Sequence, residues 1–203
     1  MHTMERYFNM SENMELTDGI SEALIKTVMK ALQDLKERPD CYESRAEVMW
    51  ASSLSHNDLT GCGTGGGDWA CHQLEHEIGG MFDVAHGAGL AAVWGSWARY
   101  VYKARPERFA KFARNIFNIQ ETDDEKAAVA GIEAMENYYR SVGMPTSLCE
   151  LGIHATEEQI KEMADKCSFY GKRTVGVMKK IGAPEAAEIY RMANDKSIPL
   201  YSR

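Results

Sequence analysis

The stretch from Asp68 to Leu90, DWACHQLEHEIGGMFDVAHGAGL, constrains this chain more than any other. It carries three of the six histidines, His72, His76 and His86. His72 and His76 stand four residues apart in a run without proline. Four residues along an α-helix rotate a side chain by only about 40°, so the two imidazoles share one face. Asp68 is placed to accept the free N–H groups of that helix's first turn. Gly79-Gly80 is the expected stop, at a reversal needing positive φ. Ala85-His86-Gly87 then opens a second, small-residue helix. Helix, reversal and helix can return His86 to the side of His72. That arrangement suits a divalent first-row metal held by imidazoles between helices.

Two plainer readings compete. An HxxxH pair on a helix is commonly coincidental, and the third histidine is what moves the reading toward a metal. The metalloprotease motif fails, because His76-Glu77 runs into Ile78-Gly79-Gly80 and the His72 motif has Gln73 where a general-base Glu belongs.

Composition removes several function classes. At 203 residues and 44% hydrophobic content the chain suits one globular domain with a sizeable core, or two small ones, and not a disordered chain; the helical spacing along it makes a single α-helical domain spanning 1–203 the expected organisation. A net charge of −7 argues against nucleic acid or an anionic membrane as the default partner. No apolar run approaches a membrane span, and MHTMERYF is no secretory signal. The five scattered cysteines contain no CxxC pair and read as free thiols of a cytoplasmic protein. Cys71 points away from His72 and reads as core.

Helical spacing recurs along the whole chain. HTMERYF reads as helix but begins without a cap. Thr17-Asp18 is expected to cap a long helix through Leu35. A further helix is expected from about Tyr42 to Leu59, with Ala46, Met49, Trp50, Ser53 and Leu54 along one side. GCGTGGG, Gly61 to Gly67, lacks the following Lys-Ser/Thr of a Walker loop and the preceding strand of a Rossmann fingerprint. It reads as a linker that lets the His72 helix pack closely. Helices follow over Gly87–Tyr102, from Pro106, from Thr122 to Gly143, and from Thr156 to Cys167. Two short ones are expected near Thr174–Ile181 and Pro184–Ala193, with a frayed tail from Asn194 through residue 203. The expected class is all-α, with about eight or nine helices and no repeat.

HQLEHEIGGMFDVAHGAGLA resembles the metal-binding signature of the iron-containing (group III) alcohol dehydrogenases. RAEVMWASSLSHNDLTG and WGSWARYVY are similar to its butanol dehydrogenase branch, and the likeness runs on through MPTSLCELGI to EIYRMA. The resemblance implies a two-domain parent in which an N-terminal α/β domain binds NAD or NADP and a helical C-terminal domain binds Fe²⁺ or Zn²⁺. It implies His2, His72 and His86 as metal ligands, with the family's aspartate ligand falling upstream of Met1. Residues 1–8 then read as the remainder of a longer helix. Terminal placement makes His2 the least secure ligand. His76 is implied as a proton relay, against the alternative of a hydrogen-bonded core histidine. Asp83 and Gly87 are implied as lining the substrate pocket.

The implied activity is hydride transfer between a primary alcohol or aldehyde and a nicotinamide cofactor, in a parent expected to be a homodimer. Without the cofactor domain the fragment is expected to be inactive. Two other classes stay open: a free-standing helical metal protein, hydrolase or sensor, and an inactive dimerisation module.

Overall fold

The computed structural model describes residues 1–195. Among them lie nine α-helices and no strand. These are α1 (His2–Tyr7), α2 (Glu15–Glu37), α3 (Tyr42–His56), α4 (Ala70–Phe82), α5 (His86–Val101), α6 (Pro106–Phe117), α7 (Asp124–Ser141), α8 (Glu157–Cys167) and α9 (Ala183–Asn194). Short 3₁₀ turns follow α3, α5 and α7. No described helix is long and apolar enough to cross a membrane.

Helix α5 is the axis of the core. Its residues from Gly89 through Ala98 are all buried, and it packs against α4, α7 and α9. Glycine and alanine let neighbouring backbones approach, while Trp94 and Trp97 fill the space beyond. Phe8, at the end of α1, stacks on Phe109 with ring centroids 4.3 Å apart and meets Trp97 and Phe112. Helix α1 is only six residues long, too short to persist on propensity alone. Tertiary contacts hold it: five of its residues, Thr3 through Tyr7, are buried. Asn9 closes its C-terminal end, donating through Nδ2 to the carbonyls of Arg6 and Tyr7 at 2.7 and 3.0 Å.

Several expected boundaries move, each for a tertiary reason. Helix α2 starts at Glu15, ahead of Thr17, because Asp18 is taken up in a buried ion pair with Arg108. Arg108 also donates to the Tyr7 carbonyl at 2.7 Å, and Lys111 reaches Asp18 at 2.8 Å. On α3, Met49 and Trp50 face outward at 72% and 62% exposure. The inward side is Ser44, Val48, Ala51 and Ser55, a stripe of small side chains that brings α3 close to α2. Asp123, not Thr122, caps α7 by accepting from the Lys126 N–H. Thr156 and Gln159 form the capping box that starts α8.

The segment expected as a helix near Thr174–Ile181 is a reversal closed by an antiparallel bridge between Val175 and Ile181. Asp68 dictates this. Its Oδ2 accepts the N–H groups of Val177 and Met178 at 2.7 and 2.8 Å, while Oδ1 accepts that of Ala70 at 3.1 Å. One carboxylate thus serves the first turn of α4 and a loop more than a hundred residues away. At the far end, Asn194 is ordered: its side-chain amide exchanges two hydrogen bonds with the Ala155 backbone, at 2.9 and 3.0 Å. The rest of the expected tail, from 196, lies outside the described residues.

Asp18 supplies the first test. Burial opposes its ionisation, but the hydrogen bonds and charges of Arg108 and Lys111 outweigh that, and its carboxyl titrates below the ordinary range. A depressed folded pKa stabilises above the unfolded value and loses that stability as pH falls through the folded one. Replacing both Arg108 and Lys111 by Ala leaves the buried Asp18 carboxylate unpaired and should cost about 3–5 kcal/mol in denaturant unfolding at neutral pH, with the deficit shrinking in acid. A cost below about 1 kcal/mol, the range of exposed pairs, would contradict this role.

Candidate metal centre

The site begins with a close approach between α1 and the loop before α4. The Asp68 N–H donates to the Glu5 carbonyl at 2.8 Å. Gly67 makes this possible. It holds φ +81°, and a Cβ there would stand 2.7 Å from that same oxygen. The glycine-dense linker therefore does let the His72 helix pack closely, onto α1. The Glu5 side chain, fully buried, then meets α4. Its Oε1 accepts the His72 backbone N–H at 3.2 Å, and its Oε2 is paired with His72 Nδ1.

Helix α4 runs through Gly79 and Gly80 without stopping, against expectation. The reversal falls at Asp83, in the left-handed region with φ 51°, its N–H donating to the Gly79 carbonyl. Ala85 is the N-cap of α5 and His86 its first helical residue. The hairpin returns His86 to His72, with ring centroids 5.3 Å apart. His76, one turn beyond His72, lies 6.2 Å from it and 5.7 Å from His86. Helix α1 adds His2, 4.5 Å from His72, and α3 ends in His56, 4.2 Å from His2. Five of the six histidines therefore cluster, from four helices. His2, packed between His56, Trp69 and His72, is held by this cluster despite its terminal position.

The rings differ in what they offer. A carboxylate oxygen accepts, so in the neutral ring the Glu5 contact puts the His72 proton on Nδ1 and leaves the Nε2 lone pair for a ligand. That Nε2 is buried and has no partner in the protein. His86 is arranged alike, its Nδ1 paired with Glu75 Oε2. The His2 pKa is pushed down to about 4, by burial above all and then by His72, His56, the N-terminal amine and Arg6. A neutral ring is what metal ligation requires. His76 is exposed. Glu75, His76 and His86 also bring one ligand atom each within 4.8 Å of the others, so two donor sets overlap at His86.

A cavity of about 420 Å³ opens beside these rings, between α2, α3, α5 and α7. Apolar side chains such as Leu24, Val28, Leu32 and Met135 wall it, and His2, His86 and Gly87 border it. Asp83 stands exposed at the reversal, outside that lining.

Glu5, Glu75 and His56 are the members that spacing does not reveal. A glutamate on a helix ordinarily reads as a solvated face. The signals were present, in Glu75 within HQLEH and Glu5 one turn past His2, but only the packing of α1 and α5 against α4 gives them meaning.

A pH titration of the histidine resonances tests the electrostatics. His2 should stay neutral down to about pH 4. Its unfolded value is higher, so protonation favours unfolding, and stability should fall as pH drops from 6.5 toward 4. Titration of His2 near 6.5 would show that the ring is not packed among these neighbours.

Comparison with known proteins places this geometry. A profile described as Fe-containing alcohol dehydrogenase family, C-terminal, matches residues 1–193. NADH-dependent butanol dehydrogenase A of Clostridium acetobutylicum is 33% identical over 192 residues, covering 94% of this chain and 49% of its own length. The NADPH-dependent aldehyde reductase YqhD of Escherichia coli is 28% identical over 193 residues, with 95% and 49% covered. The crystal structure of NADH-dependent butanol dehydrogenase A from Thermotoga maritima superposes with a TM-score of 0.88 at 35% identity, covering 96% of this chain and 50% of that one. The chain thus spans about half the length of the relatives it matches. It belongs to the Fe-containing alcohol dehydrogenase family, as that family's helical C-terminal domain.

Proposed function

We propose that this chain is the metal-binding half of an NAD(P)-linked alcohol dehydrogenase or aldehyde reductase, with His2, His72 and His86 holding one Fe²⁺ or Zn²⁺. The observation that carries the reading is the buried Nε2 of His72. It is unpartnered, with its ring fixed by Glu5 and with His2 and His86 beside it. A buried polar atom without a partner is costly unless something binds it. Neutral imidazoles fit a borderline cation, and three of them leave a position for a substrate oxygen.

A divalent cation there supplies Lewis-acid polarisation of an alcohol or aldehyde oxygen. The chain's own residues do the rest. Glu5 holds His72 in one tautomer. The apolar cavity beside His86 and Gly87 takes a short aliphatic chain and keeps water from it. His76, exposed next to His86, can pass a proton between the site and solvent. The nicotinamide must come from elsewhere: among the described residues no strand, glycine loop and helix unit is present to grip a dinucleotide. Hydride transfer needs reacting atoms about 3–3.5 Å apart, so the 203-residue chain alone should show negligible alcohol-dependent NAD(P)⁺ reduction. Robust turnover by it would overturn this division of labour.

Zn²⁺ calorimetry tests the ligands. His72→Ala and His86→Ala should abolish binding, and His76→Ala should leave it largely intact. The overlapping Glu75, His76 and His86 donors support a second reading, a free-standing metal protein using that set. Loss of binding in His76→Ala with retention in His72→Ala would favour it.

A further inference from the structure

Glu75 is where α4 and α5 converge. Its side chain is almost fully buried. Oε2 is paired with His86 Nδ1, and Oε1 has no donor at all. Two glycines make the room. A Cβ on Gly89 of α5 would stand 2.6 Å from Oε1 and 2.8 Å from Cγ, and one on Gly79 of α4 would stand 3.0 Å from Oε1. The expected turn glycine Gly79 thus lies inside the last turn of α4, with a carboxylate against it. Burying a carboxylate with one oxygen unpaired is unfavourable in the metal-free protein. A buried hydrophobic side chain would fill the same space at less cost. The arrangement becomes favourable when positive charge sits on the far side of the imidazole.

We infer that Glu75 is a positioning residue for the metal centre: it fixes the Nδ1–H tautomer of His86, aims Nε2 at the cation, and supplies negative charge behind the ligand. This rests on the metal reading above and extends it. His2, His72 and His86 are neutral ligands, so a dication among them is uncompensated at contact distance. Glu5 behind His72 and Glu75 behind His86 together place two carboxylates one imidazole away. Carboxylate partners of this kind raise the basicity of the ligating nitrogen. Glu75 itself is not a ligand here, because Oε2 is turned to His86 Nδ1 and Oε1 is packed against Gly79 and Gly89.

The test uses Co²⁺ as the probe, on the full chain, with calorimetry for affinity and visible absorption for coordination. ¹⁵N NMR of the metal-free protein reads the His86 tautomer. Glu75→Gln keeps the shape and an acceptor but removes the charge, and Glu75→Ala removes both. Affinity should fall about 10-fold in the first and about 100-fold in the second. The Co²⁺ ligand count should not change in Glu75→Gln. Metal-free His86 should be Nδ1–H in wild type and mixed in Glu75→Ala. Gly89→Ala pushes the carboxylate aside without removing it and should reproduce the loss, with circular dichroism checking that each variant is folded. Wild-type affinity and an unchanged tautomer in Glu75→Ala would overturn the inference. So would loss of an oxygen ligand from the Co²⁺ spectrum together with loss of binding in His76→Ala, which would make Glu75 a ligand. Failure of the wild type to bind Co²⁺ would instead sink the metal reading, while the metal-free tautomer would still decide whether Glu75 holds His86.

Discussion

Glu5 is the constraint from which the site follows. It lies on a six-residue helix that cannot stand alone, and its carboxylate is fully enclosed. Such a group must find donors, and both come from one residue, the ring and backbone N–H of His72. The peptide of Glu5 is tied as well, to the Asp68 N–H. These bonds clamp α1 across the start of α4. His2 is thereby carried onto His72, and the Phe8 ring into the aromatic core around α5. Gly67 is the permissive element, since a side chain there would strike the Glu5 carbonyl. Satisfying one buried carboxylate thus links the stability of the N-terminal helix to the geometry of the histidine cluster.

A related economy governs the other half of the cluster. Asp68 and Glu75 are both acids near the α4 start or face, yet they do opposite work. Asp68 is fully satisfied by three backbone N–H groups, and burial nonetheless pushes its carboxyl up. It organises loops. Glu75 is left half-satisfied beside an imidazole, the pattern expected of a group whose surroundings are completed by something bound. The apolar cavity against His2 and His86 completes the picture of a site with charge on one wall and hydrocarbon on the other.

Much of this could be read from residue spacing. The residue pattern locates α1 through α9 to within a few residues, and the three histidines of the Asp68–Leu90 stretch do converge. What could not be read are features set by distant partners. Asp18 looks like a cap until Arg108 is brought to it. The 174–181 segment has helical composition, but Asp68 captures its N–H groups and bends it. Gly79-Gly80 looks like a stop, whereas Gly79 serves the Glu75 carboxylate. The apolar residues of α3 suggest an inward face, but its small residues pack inward and Met49 and Trp50 outward. In each case a tertiary contact outweighed a local preference of about 1 kcal/mol or less.

The proposed metal centre is one cation position, defined by ring nitrogens held from behind. Anomalous diffraction from a crystal of this chain soaked with Zn²⁺ tests it most directly. The expected result is a single peak at roughly 2.0–2.1 Å from His72 Nε2 and His86 Nε2, on the side facing His2, with Glu5 and Glu75 still on the Nδ1 atoms. A peak on Glu75, His76 and His86 with His72 Nε2 left bare would contradict it.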